Sequence, residues 1–391
     1  IIFITVTSKR KICVVTGTRA EYGLLRNLIR ILNDSEDFEL LLVVTGMHLS
    51  EKFGKTYREI EDDGIPISEK IDLNLIDDSP SALSKSTSLG LSGFGDFFES
   101  SKPDLLLVLG DRYEILSAVI AAMFERIPIA HIHGGELTEG LIDEAIRHSV
   151  TKFSHIHFTS TDEYKKRVIQ LGENPELVFN VGGMGVDAIK IIDLITKEEL
   201  ENSLNIKFRK KNLLITFHPV TLEHSTSGDQ MSELIEALSA QEDTSLIFTM
   251  PNADTDGRVI FKLIEDFVSK NRHAYAFKSM GQIKYLSCIP HVDAVIGNSS
   301  SGLTEVPTFK KPTINIGDRQ KGRVMAESVI NCAPICADIE KSIRMIYEKD
   351  FLNSLHEIKN PYGEGGSSNK IVQKLNSIDF DSLLKKNFYD L

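Results

Sequence analysis

Positive charge is scarce in this sequence. Its 44 Lys and Arg stand against 56 Asp and Glu, a formal net charge of −12, which leaves no basic footprint for a nucleic-acid backbone. A polyanion would have to be held by a few local cations rather than by a broad field. Cysteine is scarce too. Cys13, Cys288, Cys332 and Cys336 contain no C-x-x-C pair. Cys332 and Cys336 stand apart from other soft ligands, so zinc is not expected, and all four read as reduced thiols of a cytoplasmic protein. No long hydrophobic run occurs near the start. The opening "IIFITVTSKRK" is apolar and then basic, the reverse of a secretory leader, and too short to cross a bilayer. Residues 1–10 are expected to be either an edge strand or an upstream extension. Short repeats and low-complexity tracts are missing. "GTRAEYG" (17–23) is not G-x-G-x-x-G and "GNSSSG" (297–302) has no Gly-Lys-Ser/Thr, which argues against dinucleotide binding and against a nucleotide hydrolase or kinase.

What is present is a repeated alternation. At 391 residues the chain exceeds one ordinary core, and two domains are expected. "KICVVTG", "FELLLVVTG", "DLLLVLGD", "IPIAHIHGG" and "HIHFTS" read as strands. They are nearly continuous in aliphatics, as when both faces of a parallel sheet are covered. Helical patterns lie between them at 21–33, 50–63, 81–100 and 113–126. The alternation restarts with "NLLITFHP", "TSLIFTMP", "HAYAFKS", "VDAVIGNSS", "KPTINIG" and "VINCAP". The expected fold is α/β: two Rossmann-like, doubly wound lobes facing a cleft, spanning 1–185 and 186–370, with a helical tail over 371–391. A linker is expected near 183–190 and a helix across 196–205.

In such sheets the loops at the carboxyl ends of the strands build the site. That rule selects "GTRAEY", "GMHLS", "GDRYE", "HIHGGE", "HPVT", "PNAD", "GNSSSG" and "GDRQKGR". In the second lobe, Ser299, Ser300 and Ser301 open a helix whose backbone N–H groups suit a phosphate. Taken alone, they read better as plain serine capping. Arg319 and His218 end other strands of the same lobe, and converging cations with a helix N-terminus suit a diphosphate. Glu305, one turn in, is placed to accept two ribose hydroxyls, or is a solvent-facing helix charge. In the first lobe Arg19 is exposed at a strand end.

"IAHIHGGELTEGLIDEAIRH" (129–148) crowds ionisable groups together. His131 and His133 are expected on one face of a strand. H-x-H is a common metal pattern, but no third and fourth ligand follow at a convincing spacing, and Arg112 beside Asp111 would repel a dication. His131, nearer the strand interior, reads as a core histidine satisfied by backbone. A helix over 141–152 carries Asp143/Arg147 and Glu144/His148 as i,i+4 pairs, which read either as surface pairs or as site residues. Its buried face is expected to be Ile142, Ala145, Ile146 and Ser149. Asp143 in the first turn is favoured as a carboxylate by the helix dipole and is a candidate base. Asp111 ends a very apolar strand, and partial desolvation there suits a proton carrier.

Taken in order, "GTRAEYGLL", "VVTGMHLS", "LGDRYEI", "HIHGGE", "DEAIRHSVTK", "FHPVT", "IGNSSSGLTEVP" and "INIGDRQKGR" resemble the hydrolysing UDP-N-acetylglucosamine 2-epimerases of sialic-acid biosynthesis, from about residue 11 to about 325. The resemblance implies a B-type glycosyltransferase fold with UDP held mainly by the C-terminal lobe. It implies the reaction UDP-GlcNAc plus water to N-acetylmannosamine plus UDP, by elimination to 2-acetamidoglucal and hydration, with no metal and no cofactor. By the motif matches Asp111 and Asp143 correspond to the family's catalytic carboxylates. His218, Ser299, Ser300 and Arg319 would contact the diphosphate, Arg19 and Arg112 would close on it, and Glu305 would take the ribose. Many members read "HIEGGE" where this chain has "HIHGGE". His133 therefore stands at a catalytic glutamate position, and either its imidazole or Glu136 is expected to serve. The partner implied is a UDP-sugar, with no nucleic acid and no membrane, in a dimer or tetramer. Other readings are the same chemistry on UDP-2,4-diacetamido-2,4,6-trideoxyglucose (the legionaminic-acid route), a non-hydrolysing epimerase, a glycosyltransferase of the same fold, and a non-enzymatic sugar-nucleotide sensor.

Overall fold

The computed structural model describes residues 9–74, 79–138, 142–219, 227–251 and 257–391. Residues 1–8 of the opening segment (edge strand or upstream extension), Glu139, Val220 and Thr221 of "HPVT", and residues 252–254 of "PNAD" lie outside the described residues. The chain forms two compact units. The first runs through Glu136, resumes at Ile142–Ala188 and ends with Gly365–Leu391; the second includes Leu137, Thr138 and Ile189–Glu364.

The first unit holds seven strands, β1 (Arg10–Thr16), β2 (Phe38–Thr45), β3 (Glu69–Ile71), β4 (Leu105–Leu109), β5 (Ile129–Ile132), β6 (Ile156–Thr159) and β7 (Val178–Asn180). They form one sheet in the order β3-β2-β1-β4-β5-β6-β7, every pair parallel. The near-continuous aliphatics are explained by burial on both faces. Ile12 and Val14 of β1 enter one cluster with Leu25, Leu28 and Leu42, while Cys13 and Val15 enter another with Phe94, Leu106 and Val119.

The second unit repeats the plan with β8 (Lys211–Thr216), β9 (Thr244–Thr249), β10 (Ala274–Phe277), β11 (Ala294–Gly297), β12 (Thr313–Ile316) and β13 (Val329–Cys332). Their order is β10-β9-β8-β11-β12-β13, again all parallel. Leu213 and Ile215 face one cluster and Leu214 the other. Both sheets reverse strand order once, between β1 and β4 and between β8 and β11, and such switch points are where open α/β sheets bind ligands. Among the described residues no helix is long and apolar enough to cross a membrane.

Three local expectations differ from the structure. The stretch expected as a linker near 183–190 is helical over Met184–Ile191. Met184 joins the first unit's core, and buried Asp187 accepts from Asn27 Nδ2 (3.0 Å) and the Ser368 amide (3.2 Å). The helix expected over 50–63 is broken. Gly54 sits at φ +85°, closing a single turn at Glu51–Phe53, and α-helix resumes only at Tyr57–Asp62. Residues 365–391 belong with the first unit rather than forming a separate tail. The helix Ser367–Ser377 packs on Arg19–Asn33, and Ser367 Oγ donates to Val181 O at 3.0 Å.

Candidate active site

At the first unit's switch point, β4 ends at Leu109, and Gly110 (φ +81°), Asp111 and Arg112 follow before the helix Tyr113–Phe124. His131 on β5 fixes this turn. It is fully buried, its Nε2–H donates to Gly110 O at 2.8 Å, and its Nδ1 accepts from Thr151 Oγ1 at 3.2 Å. Burial pulls its pKa down to about 3, so it is the neutral, backbone-satisfied histidine expected of it.

His133 does not share a strand face with His131. β5 stops at Ile132, and His133 adopts φ +67°. Its Nε2 accepts from the Met184 amide at 3.1 Å, which puts the ring proton on Nδ1, 3.5 Å from Glu136 Oε1. Both ring nitrogens thus face groups of the same unit. Glu136 is buried and also accepts from Ser160 Oγ at 2.9 Å. Gly135 (φ +79°) is required between them, since a Cβ there would lie 2.5 Å from Tyr164 O.

Of the face expected to be buried on the helix Ile142–Phe153, only Ile146 packs on the core, and the inward face is otherwise a different one. Arg147, Val150 and Thr151 are buried, whereas Ile142 is 73% exposed and Ala145 and Ser149 are exposed. The reason is Arg147, whose side chain is only 2% exposed. Its Nη2 pairs with Asp111, and its Nη1 donates to Glu144 Oε2 (2.7 Å) and to Glu136 O (2.9 Å). A guanidinium carries five donors in a rigid fork, and here it joins the β4 turn, the "HGGE" turn and its own helix. Glu144 also makes the expected contact with His148, at 3.1 Å. Asp143 departs from expectation. Burial first, and the neighbouring Asp111 second, raise its pKa, outweighing the helix dipole. One carboxyl is engaged by a buried cation and its neighbour has its pKa raised, an arrangement suited to dividing base and acid roles.

Beside this cluster, Arg112 Nε donates to Glu114 Oε1 at 2.7 Å, and its Nη2 lies 3.9 Å from Met47 Sδ. Arg19, the first residue of the helix Arg19–Asn33, is half exposed and 3.8 Å from Glu59. Such a contact is weak.

At the second unit's switch point, β11 ends in Gly297 at φ +135°. A Cβ there would stand 1.9 Å from Thr216 O of β8, so only glycine permits the close approach. The next residue, Asn298, ties three turns together. Its Oδ1 accepts from the His218 amide (2.7 Å), its Nδ2 donates to His218 O (2.8 Å), and its own carbonyl accepts from Arg319 Nη1 (3.0 Å) and Gln320 Nε2 (2.8 Å). His218, Ser299, Ser300 and Arg319 are thereby brought to one place. Two expectations change here. The helix after Ser300 is only Ser301–Thr304, and Ser300 makes no side-chain capping bond, so little macrodipole is available to an anion. His218 is not a standing cation, because burial and Arg319 pull its pKa down to about 4. Glu305 closes that short helix. It accepts from Ser301 Oγ, and burial raises its pKa.

Sequence reasoning missed Arg147 as an inward-facing residue, and it missed Asn298, Glu21 and Glu114. Only Asn298 carried a signal, through its place directly after a strand-ending glycine. Among the described residues no group of three or more His, Cys, Asp or Glu side chains is arranged to hold a metal ion.

Comparisons with known proteins identify the family. A family model described as UDP-N-acetylglucosamine 2-epimerase matches residues 30–376. The chain is 44% identical to the GDP/UDP-N,N'-diacetylbacillosamine 2-epimerase (hydrolyzing) of Campylobacter jejuni subsp. jejuni, over 98% of this chain and 100% of that one. It is 42% identical to polysialic acid biosynthesis protein P7 of Escherichia coli, over 98% of each. The crystal structure of a UDP-GlcNAc 2-epimerase from Neisseria meningitidis bound to UDP-GlcNAc shares the fold, with a TM-score of 0.73 at 22% identity, covering 94% of this chain and 100% of that one. The chain belongs to the UDP-N-acetylglucosamine 2-epimerase family, in the part of it that holds the hydrolysing 2-epimerases.

Proposed function

We propose that this protein hydrolyses a UDP-linked 2-acetamido sugar with inversion at C2, releasing UDP and the free 2-epimer. The observation that carries the reading is the unequal carboxyl pair, Asp111 against buried Arg147 and Asp143 raised by burial and by Asp111. As the C1–O bond to UDP breaks, positive charge grows at C1 and acidifies the C2 proton. Asp111 takes that proton, giving the 1,2-unsaturated sugar and UDP. Asp143 returns a proton to C2 from the opposite face, and water supplies the hydroxyl at C1, so one water is consumed for each UDP released. His133 and Glu136 hold the turn on which this depends. Arg319, the His218 ring and the serines of "GNSSSG" take the diphosphate and Glu305 takes a ribose hydroxyl, while Arg19 and Arg112 are the first unit's cations for an anionic substrate. A neutral His218 serves as a hydrogen-bond donor, and a bound diphosphate would favour its protonation.

Two sugars fit the family. The 44% relative, named for diacetylbacillosamine, favours UDP-2,4-diacetamido-2,4,6-trideoxyglucose. The 42% relative, named for polysialic acid biosynthesis, favours UDP-GlcNAc and the sialic-acid route. Proton NMR in D2O with each nucleotide sugar tests the proposal. The expected result is free UDP together with a free 2-epimer deuterated at C2, and the better substrate is the one with the higher kcat/KM. Accumulation of a UDP-linked 2-epimer without release of UDP, or no turnover of either sugar, overturns it.

A further inference from the structure

Two buried carboxyl groups beside the first unit's switch point have no part in the chemistry above. Glu21 lies in the first turn of the helix Arg19–Asn33, and Glu114 in the first turn of Tyr113–Phe124. They are 6% and 0% exposed. Both flank Gly17. Glu21 Oε2 accepts the Gly17 N–H at 2.7 Å, and a Cβ built on Gly17 would come within 2.9 Å of Glu114 Oε1. Each has one satisfied oxygen and one buried oxygen with no partner: Glu21 Oε1 and Glu114 Oε2. An orphaned, fully desolvated carboxylate oxygen is costly, and two together against one guanidinium are more so.

We propose that Glu21 and Glu114 form a carboxyl pair that holds a single proton and positions Arg112, so that both are positioning residues for the proposed reaction. With one proton the pair carries one negative charge, which Arg112 matches through its 2.7 Å bond to Glu114. Without it, an uncompensated charge appears beside Arg112 and Asp111 and draws Arg112 away from an anionic substrate. The other groups around the pair do not supply the missing compensation. Tyr113 is a phenol. His48, beyond Gly46, is hydrogen-bonded to Thr16 (3.1 Å) and Thr56 (2.8 Å), and burial pulls its pKa down to about 4. Arg19 points to Glu59. Burial, with Glu114 adding to it, pushes the Glu21 carboxyl up to about 8. The proton is therefore present at neutral pH and lost in the mildly alkaline range.

The inference rests on the proposed reaction for its kinetic readout only, so the proton is first followed without substrate. In protein labelled at the glutamate side-chain carboxyl carbon with 13C, difference spectra of E21Q and E114Q assign the two carboxyls, with E21D as the assigning variant if E21Q does not fold. The expected result is a Glu21 resonance titrating near 8 that moves down in E114Q, where the like charge is gone. A Glu21 resonance titrating in the ordinary carboxylate range, or one indifferent to E114Q, overturns the proposal whatever the enzyme's substrate is. Between pH 7 and pH 9, kcat/KM of the wild type falls about tenfold more than that of E21Q, as loss of one proton with a pKa near 8 requires. An identical alkaline loss in both proteins refutes the positioning role.

Discussion

Arg147→Met is the sharpest test of how the first unit's site is held. Methionine keeps most of the volume and removes the charge and all the donors. The Glu136 carbonyl then loses its 2.9 Å partner, and Asp111 and Glu144 lose their shared guanidinium. Breaking a buried ion pair from one side costs about 3–5 kcal/mol. The lower part of that range applies here, because the Asp111 and Glu144 side chains are 27% and 23% exposed and are partly rehydrated. At about 2–4 °C per kcal/mol for a unit of this size, a loss of about 3 kcal/mol moves the midpoint down by roughly 6–12 °C. The measurement is calorimetric unfolding of the wild type, R147M, D111N and the double variant. Since Asp111 is a direct partner of Arg147, the cycle should show a coupling above about 1 kcal/mol. Additive single-variant effects, or an R147M midpoint within about 2 °C of the wild type, would refute the claim that this buried cation organises the site.

Asp143→Asn should lower kcat by at least about a hundredfold while UDP affinity, measured by calorimetric titration, changes little, since a proton carrier is lost and no diphosphate contact is touched. Near-full turnover in D143N would remove Asp143 from the mechanism. In D111N the remaining Asp143 carboxyl should titrate at lower pH than in the wild type, because a like charge that raises it has been removed; 13C NMR of labelled aspartate reads the shift. Asn298→Ala deletes both side-chain bonds to His218 and should cost about 1–3 kcal/mol of stability, together with a fall in UDP affinity while D143N retains it. Gly297→Ala puts a methyl 1.9 Å from Thr216 O at a positive φ and should destabilise the second unit by about 3–5 kcal/mol, seen as reduced soluble yield and a lowered urea midpoint.

Eleven of the strands were legible from their own apolar runs: most are buried on both faces, and the outer strands β10 and β13, only partly buried, still carry four-residue runs of their own. The two that were not, β3 and β7, are three-residue edges with one neighbour each. "EKI" and "VFN" pair because β2 and β6 offer a free edge, not because their own pattern demands it. The helix Met184–Ile191 was hidden in the same way: "GGMGVDAIKII" is poor in helix formers, and burial of Met184, Val186 and Asp187 supplies what local propensity does not.

The site divides along the same line. Asp111, His218 and Arg319 stand just past strand ends, where topology alone makes a polar residue conspicuous, and Asp143 was conspicuous as a carboxylate in the first turn of a helix. The residues that hold them could not be found so simply, because their evidence lies in partners distant along the chain. Arg147 reads as one half of an i,i+4 surface pair until Asp111, 36 residues earlier, turns it inward. Asn298 reads as a turn residue until His218, 80 residues earlier, claims both ends of its amide. The direction of the Asp143 shift ran against the local expectation for this reason as well. The helix dipole that favours its carboxylate is local and readable, whereas the burial and the Asp111 charge that oppose it come from the fold. Chemistry at this site is thus set less by which ionisable residues are present than by which of them the distant partners leave uncompensated, and R147M perturbs that balance without touching either carboxyl.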